Sequence, residues 1–228
     1  MSTRWIPMAL ALVISGCKKL SDAPELPDGS MQARLHFING TADFSVGDVV
    51  HDGTGRAVAV DAFRFIAGPL WVQDDQHQVL ATFPANRWVV QQPLSSTYPI
   101  GALPAGHMHV LVLLLGVPGT VLPDDSWYTA DGVPFYIELS GRMDADGDGT
   151  VQPADPTVHL LCGEEPFSYA MAGSHQDVLP GATNELAMRI DMARMLEQID
   201  VSASGNNMPG DSVSLLLARN LSAAIGGM

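Results

Sequence analysis

From Gln32 onward, short apolar runs alternate with Gly, Pro, Asp and Asn punctuation, a spacing that suits strands and turns better than long helices. Leu35 and Phe37 alternate with Arg34 and His36 ahead of Asn39-Gly40, and Phe63 and Phe65 flank Arg64 before Gly68-Pro69. Phe135, Ile137 and Leu139 alternate with Tyr136 and Glu138. Successive residues of a strand face opposite sides, so each pattern sends one apolar face inward. His107 to Leu115 is almost wholly apolar and is expected to be a central strand; Val158 to Cys162 and Glu185 to Ile190 supply others. Helical signals are confined to the end. Ala193 to Gln198 suits one or two turns, and Asp211 can cap a helix from Ser212 to Ile225 with Gly226 as its stop. The expected fold is all-β: a two-sheet β-sandwich of Ig-like or jelly-roll type over residues 32–228, with a short C-terminal helix packed outside.

The N-terminus carries the parts of an export signal. Arg4 precedes the apolar stretch Ile6 to Ile14, which runs into Ile14-Ser15-Gly16-Cys17. A branched apolar residue, two small residues and a cysteine form a lipobox, so residues 1–17 are expected to act as a lipoprotein signal with Cys17 as the lipidated residue. The apolar stretch is shorter than the roughly 20 residues a bilayer-spanning helix needs. Residues 18–31, with Pro24, Pro27 and Gly29, read as a flexible tether. The expectation is a cell-envelope protein held at the outer membrane, on its periplasmic or surface face, through its lipid anchor. With Cys17 acylated, only the Cys162 thiol remains, and packing or bound ions must supply stability. Eleven Lys and Arg stand against 25 Asp and Glu, a formal net charge of −14. That balance excludes a nucleic-acid partner and suits cation binding.

The most specific chemical motif is Asp144-Ala-Asp146-Gly-Asp148-Gly149-Thr150-Val-Gln152-Pro-Ala-Asp155. It follows the twelve-residue calcium loop, with side-chain oxygens at positions 1, 3 and 5 and glycine at the turn position 6. Thr150 offers its carbonyl at position 7, Gln152 acts at 9, and Asp155 stands at 12 where Glu is usual. Strands are expected to flank it, which predicts a structural clip instead of a sensor that opens.

His107 and His109 open the most apolar stretch. At i and i+2 of one strand they share a face about 6.5–7 Å apart, within reach of one metal. No nucleophile elbow, HExxH sequence or phosphate loop is visible, so a binding module is expected and not an enzyme.

The order of several segments resembles the copper-binding MbnP-like family. The matching pieces are Phe63-Arg-Phe-Ile-Ala-Gly-Pro-Leu70, Leu103-Pro-Ala-Gly106 with Val110 to Pro118, Asp125-Ser-Trp-Tyr128, Gly132 to Gly141, Val158-His-Leu160, Ile190 to Leu196 and Ala218 to Ser222. The resemblance implies a periplasmic or surface β-sandwich that binds copper through histidine and, in some members, an oxidised tryptophan. Carried over, it points to His159 and Trp127 as copper residues. A copper-binding lipoprotein of the envelope is expected to deliver its metal to an envelope oxidase or cytochrome, a partner that the resemblance itself does not name. By spacing alone, His159 faces away from Val158 and Leu160, and Cys162 falls on the opposite side as a buried thiol. The alternative is a calcium-stiffened surface or adhesion-type domain with no copper role.

Overall fold

The strand Gly29–Asn39 turns Met31, Ala33, Leu35 and Phe37 inward, one apolar residue in every two. It belongs to a computed structural model that describes residues 25–84, 88–91, 97–108, 110–115, 129–130, 133–163, 167–171 and 176–227. One edge of this strand pairs in parallel with Thr183–Asp191, and the other pairs antiparallel with Thr97–Leu103. Ala42–Asp43 folds back on its end, and Ile225–Gly227 adds to the far edge of Thr183–Asp191, which makes a five-stranded sheet.

A second sheet of eight strands is organised by the long strand Ala57–Gln73. Along its length it pairs with Val49–His51, Ile137–Met143, Trp88–Gln91, Val110–Leu115 and Val79–Phe83, all antiparallel. Thr157–Cys162 extends the sheet beyond Ile137–Met143, and Phe167–Met171 extends it beyond Val110–Leu115. Both faces of the long strand are largely covered, so its sequence is apolar well beyond simple alternation.

The two sheets meet face to face, and the rings of Phe37 and Phe63, one from each, touch edge to face with centroids 5.8 Å apart. Such a pair adds about 1 kcal/mol beyond the area it buries. The helix Ser212–Ala224 closes the outside. Asp211 caps it by accepting from the N–H groups of Val213 and Ser214, and Leu217, Ala218, Leu221 and Ala224 face the sheets. Its neighbours are Thr157–Cys162 and Thr183–Asp191. The fold is therefore all-β, in two main sheets with a C-terminal helix outside.

Several boundaries differ from the expectation. Gly29 to Met31, placed in the tether by composition, already belong to the first strand, because Met31 is a core residue. The segment His107 to Leu115 is not one strand. Gly106–Met108 forms a small ribbon with Gln176–Val178, whereas Val110–Leu115 joins the large sheet. An apolar run carries no signal for a change of sheet. Phe63 and Phe65 lie in a strand that continues through Gly68–Pro69, absorbed by a register shift between Ala67 and Leu70. Tyr136 and Glu138 alternate with apolar neighbours yet are themselves buried, since the outer face of that segment is covered too. The helix stops at Ala224, and Ile225 turns extended to pair with Ile190, so Gly226 sits in a strand and not at a helix stop.

Candidate metal centre

The strand Ile137–Met143 ends in the acidic loop, and the first aspartate is fastened on three sides. The Asp144 N–H donates to the Ala57 carbonyl at 2.9 Å, and the Asp144 carbonyl accepts from Arg56 Nη1 at 2.7 Å. Its carboxylate accepts from the N–H groups of Gly147 and Gly149, both at 2.8 Å. Gly147 and Gly149 have φ of 78° and 85°, a left-handed conformation that glycine adopts without strain. Asp146 accepts from the Asp148 N–H at 3.2 Å and Asp148 from the Thr150 N–H at 2.7 Å, so each side chain folds back over the loop.

This wrapping brings one carboxylate oxygen from each of Asp144, Asp146 and Asp148 within 4.8 Å of the others. Asp144 is 2% exposed, whereas Asp146 and Asp148 are open to solvent. The Gly149 N–H, with that of Gly147, holds the Asp144 carboxyl below the usual carboxylate range against the opposing effect of burial. Each carboxylate has about four lone-pair positions, so these internal bonds leave room for a cation. Beside the loop lies a cleft of about 250 Å³ lined by His51, Thr54, Arg56 and Asp144.

The rest of the twelve-residue pattern is only partly assembled. Thr150 and Gln152 are exposed on the same loop. Asp155 does not join the three carboxylates. Its Oδ2 accepts from the Gln152 N–H at 2.6 Å, and Arg142 attracts it from the neighbouring strand. The short side chain is satisfied within its own turn, where the longer Glu usual at that position reaches further.

The histidines stand elsewhere. His159 projects from Thr157–Cys162 away from the buried Val158 and Leu160, and its Nε2 lies 2.8 Å from Glu138 Oε1. The other oxygen of Glu138 takes a hydrogen bond from Arg64, its cross-strand partner, so three adjacent strands carry an Arg64–Glu138–His159 row. Cys162 is a buried cysteine on the core side, as its spacing requires. His107 is held between two acids: Nδ1 lies 2.8 Å from Asp177 and Nε2 lies 3.6 Å from Asp75. The hydrogen bond to Asp177 raises its pKa; desolvation opposes this, and the charges of Asp75 and Asp177 add to the rise.

Among the described residues, no group of three or more His, Cys, Asp or Glu side chains able to hold an ion includes His107 or His159. Cys17, His109 and Trp127 lie outside the described residues. Sequence reasoning missed Arg56, which clamps the carbonyls of Asp144 and Ala145 from 88 and 89 residues away. It also missed Glu138 as the partner of His159; the available signal was a carboxylate set between Ile137 and Leu139 in a strand.

No family model matches the chain, and no curated protein matches it. Among solved structures it is similar to MbnP from Methylosinus trichosporium, at 13% identity over 82% of this chain and 83% of that chain, with a TM-score of 0.49. At that distance no residue role passes from that protein to this one.

Proposed function

We propose that this chain is a cation-binding β-sandwich module of the cell envelope that takes calcium in the loop 144–155, with export and lipid tethering through Cys17. The observation that supports it is the convergence of Asp144, Asp146 and Asp148 on one point. Three carboxylates so close repel one another unless a cation joins them. The donors are all hard oxygens on a flexible loop, which favours calcium over a transition metal or the strictly octahedral magnesium. The Thr150 carbonyl and Gln152 would complete the site, and Asp155 would join by releasing the Gln152 N–H. The role is structural: the ion ties the end of strand Ile137–Met143 to the hairpin that carries Arg56. Binding and stiffening, not turnover, is the activity proposed.

The test is calorimetric titration of the chelator-treated protein with calcium and magnesium, alongside elemental analysis of the untreated protein. The expected result is one calcium per chain, lost in Asp144→Asn. No bound ion and no heat of calcium binding would remove the reading.

A second reading, copper at His159, is favoured by one observation. The Glu138–His159 hydrogen bond is the carboxylate–imidazole pairing that commonly orients a metal-bound histidine. Its further ligands would have to come from outside the described residues, where His109 and Trp127 lie, and an envelope oxidase or cytochrome would be the recipient. Copper binding abolished by His159→Ala while calcium binding persists would support it, and no copper bound by the intact protein would dismiss it.

A further inference from the structure

Where the C-terminal helix gives way to the last strand, a cleft of about 240 Å³ opens against the Asn39–Gly40 turn and the end of strand Thr183–Asp191. Arg189 and Arg194 line it, and Asp191 is the one acidic group in its wall. That carboxylate is already engaged. Its Oδ1 accepts from the N–H groups of Gly40 and Ala193, each at 3.1 Å, and its Oδ2 lies 3.7 Å from Arg194 Nε. Arg194 is fixed in turn, since its Nη1 donates to the Ala223 carbonyl at 3.1 Å.

Arg189 is different. It is exposed, and its guanidinium has no partner among the described residues. Its neighbour across the strand pair is Gly226, which offers no side chain to cover it. The other arginines of the sheets sit on carboxylates: Arg34 on Glu185, Arg64 on Glu138 and Arg142 on Asp61. In a chain of net charge −14, the cleft thus gathers two guanidinium groups against one spent carboxylate, and its remaining wall is small or apolar, with Ile38 and Ala223.

We infer that this cleft binds a small oxyanion, a carboxylate or a phosphate, gripped by the Arg189 guanidinium with Arg194 as a second, fixed charge. A guanidinium presents paired N–H donors in a planar fork that matches two oxygens of such a group. The site lies on different elements from the acidic loop and stands independently of the calcium reading.

The experiment titrates the full chain with inorganic phosphate and, separately, with succinate, at constant ionic strength and in excess chelator. Chemical shifts of the Gly40 and Gly226 amides report binding. Saturable binding of at least one anion is expected, at least tenfold weaker in Arg189→Gln and unchanged in Arg219→Gln, an exposed arginine of the helix outside the cleft. The tighter of the two anions identifies the class. No saturation in the native protein, or an equal loss in Arg219→Gln, overturns the proposal. Should Arg189→Gln fail to fold, Arg189→Lys keeps the charge without the fork; binding several-fold weaker is expected, and unchanged binding would overturn the assignment.

Discussion

Asn207 meets the main chain of Leu161 with both ends of its side-chain amide: Oδ1 accepts the Leu161 N–H at 2.7 Å, and Nδ2 donates to the Leu161 carbonyl at 2.8 Å. The amide thus stands where a further strand would pair. Two residues earlier on the same edge, the His159 N–H donates to the Gly205 carbonyl. Thr157–Cys162 ends the large sheet on this side, and an open edge invites pairing with a second molecule. Asn207→Ala leaves the buried Leu161 N–H unpaired, at a cost of about 1–3 kcal/mol. Chemical denaturation should show that loss, with greater aggregation near the midpoint.

Calcium linkage provides the second prediction. If the loop takes calcium as proposed, free calcium about 100-fold above its dissociation constant would stabilise the fold by about 2.7 kcal/mol. In a domain of this size that corresponds to a melting shift of roughly 5–10 °C. Thermal melts with calcium and with chelator should differ by that amount, and Asp146→Asn should shrink the difference while leaving the chelated melt almost unchanged, because Asp146 is exposed.

Asp52 sets a pH dependence. It is 6% exposed, and burial alone would raise its pKa. The Thr54 hydroxyl and the N–H groups of Arg56, Val201 and Thr54 outweigh that and bring it below 3.8. A carboxyl whose folded pKa is depressed contributes stability that is present above the unfolded value and is lost as pH falls through the folded one. Asp52→Asn should therefore flatten the acid limb of a stability-versus-pH curve and lower stability at neutral pH.

His107 acts with the opposite sign. Its folded pKa is raised above 6.5 by Asp177, with Asp75 assisting, so its contribution is complete below 6.5 and is lost as pH rises through the folded value. Titration of its ring signals by NMR should show a midpoint above 6.5. Asp177→Asn should bring that midpoint down, and an unmoved midpoint would break the assignment.

Gly141 carries a packing prediction. A Cβ there would run into the carbonyl oxygen of Ala59, at the register shift between Ser140 and Gly141. Main chain cannot give way as a flexible side chain can, so Gly141→Ala should destabilise the fold severely, while Gly147→Ala, where a Cβ has open space, should suffer only the cost of its left-handed backbone. Melting curves of the two variants check the contrast.

Much of this architecture was legible because period and capping are local. Leu35 and Phe37 declared an inward face, and Asp211 with Leu217 and Leu221 declared a capped helix; both hold. The aspartates at 144, 146 and 148 were legible as a converging set because loop geometry follows from spacing and glycine. What stayed hidden depends on long-range pairing. Nothing near His107 indicates that Asp75 and Asp177 will close on it, and nothing near Asp144 indicates Arg56. Asp155 misled for a local reason: its side chain finds the Gln152 N–H before it can reach the other carboxylates.

The parallel pairing of Ser30 to Ile38 with Thr183 to Asp191 has a consequence for how such a chain comes to be folded. The first described strand has its parallel neighbour some 150 residues further along, so loop-closure entropy opposes the pairing until that later strand is present. Until then the edge of the first strand that Thr183–Asp191 covers stands open, on the strand that carries Met31 and Phe37. Pairing across so long a separation slows folding, so the rate at which the native state is reached should follow the docking of Thr183–Asp191 on that edge.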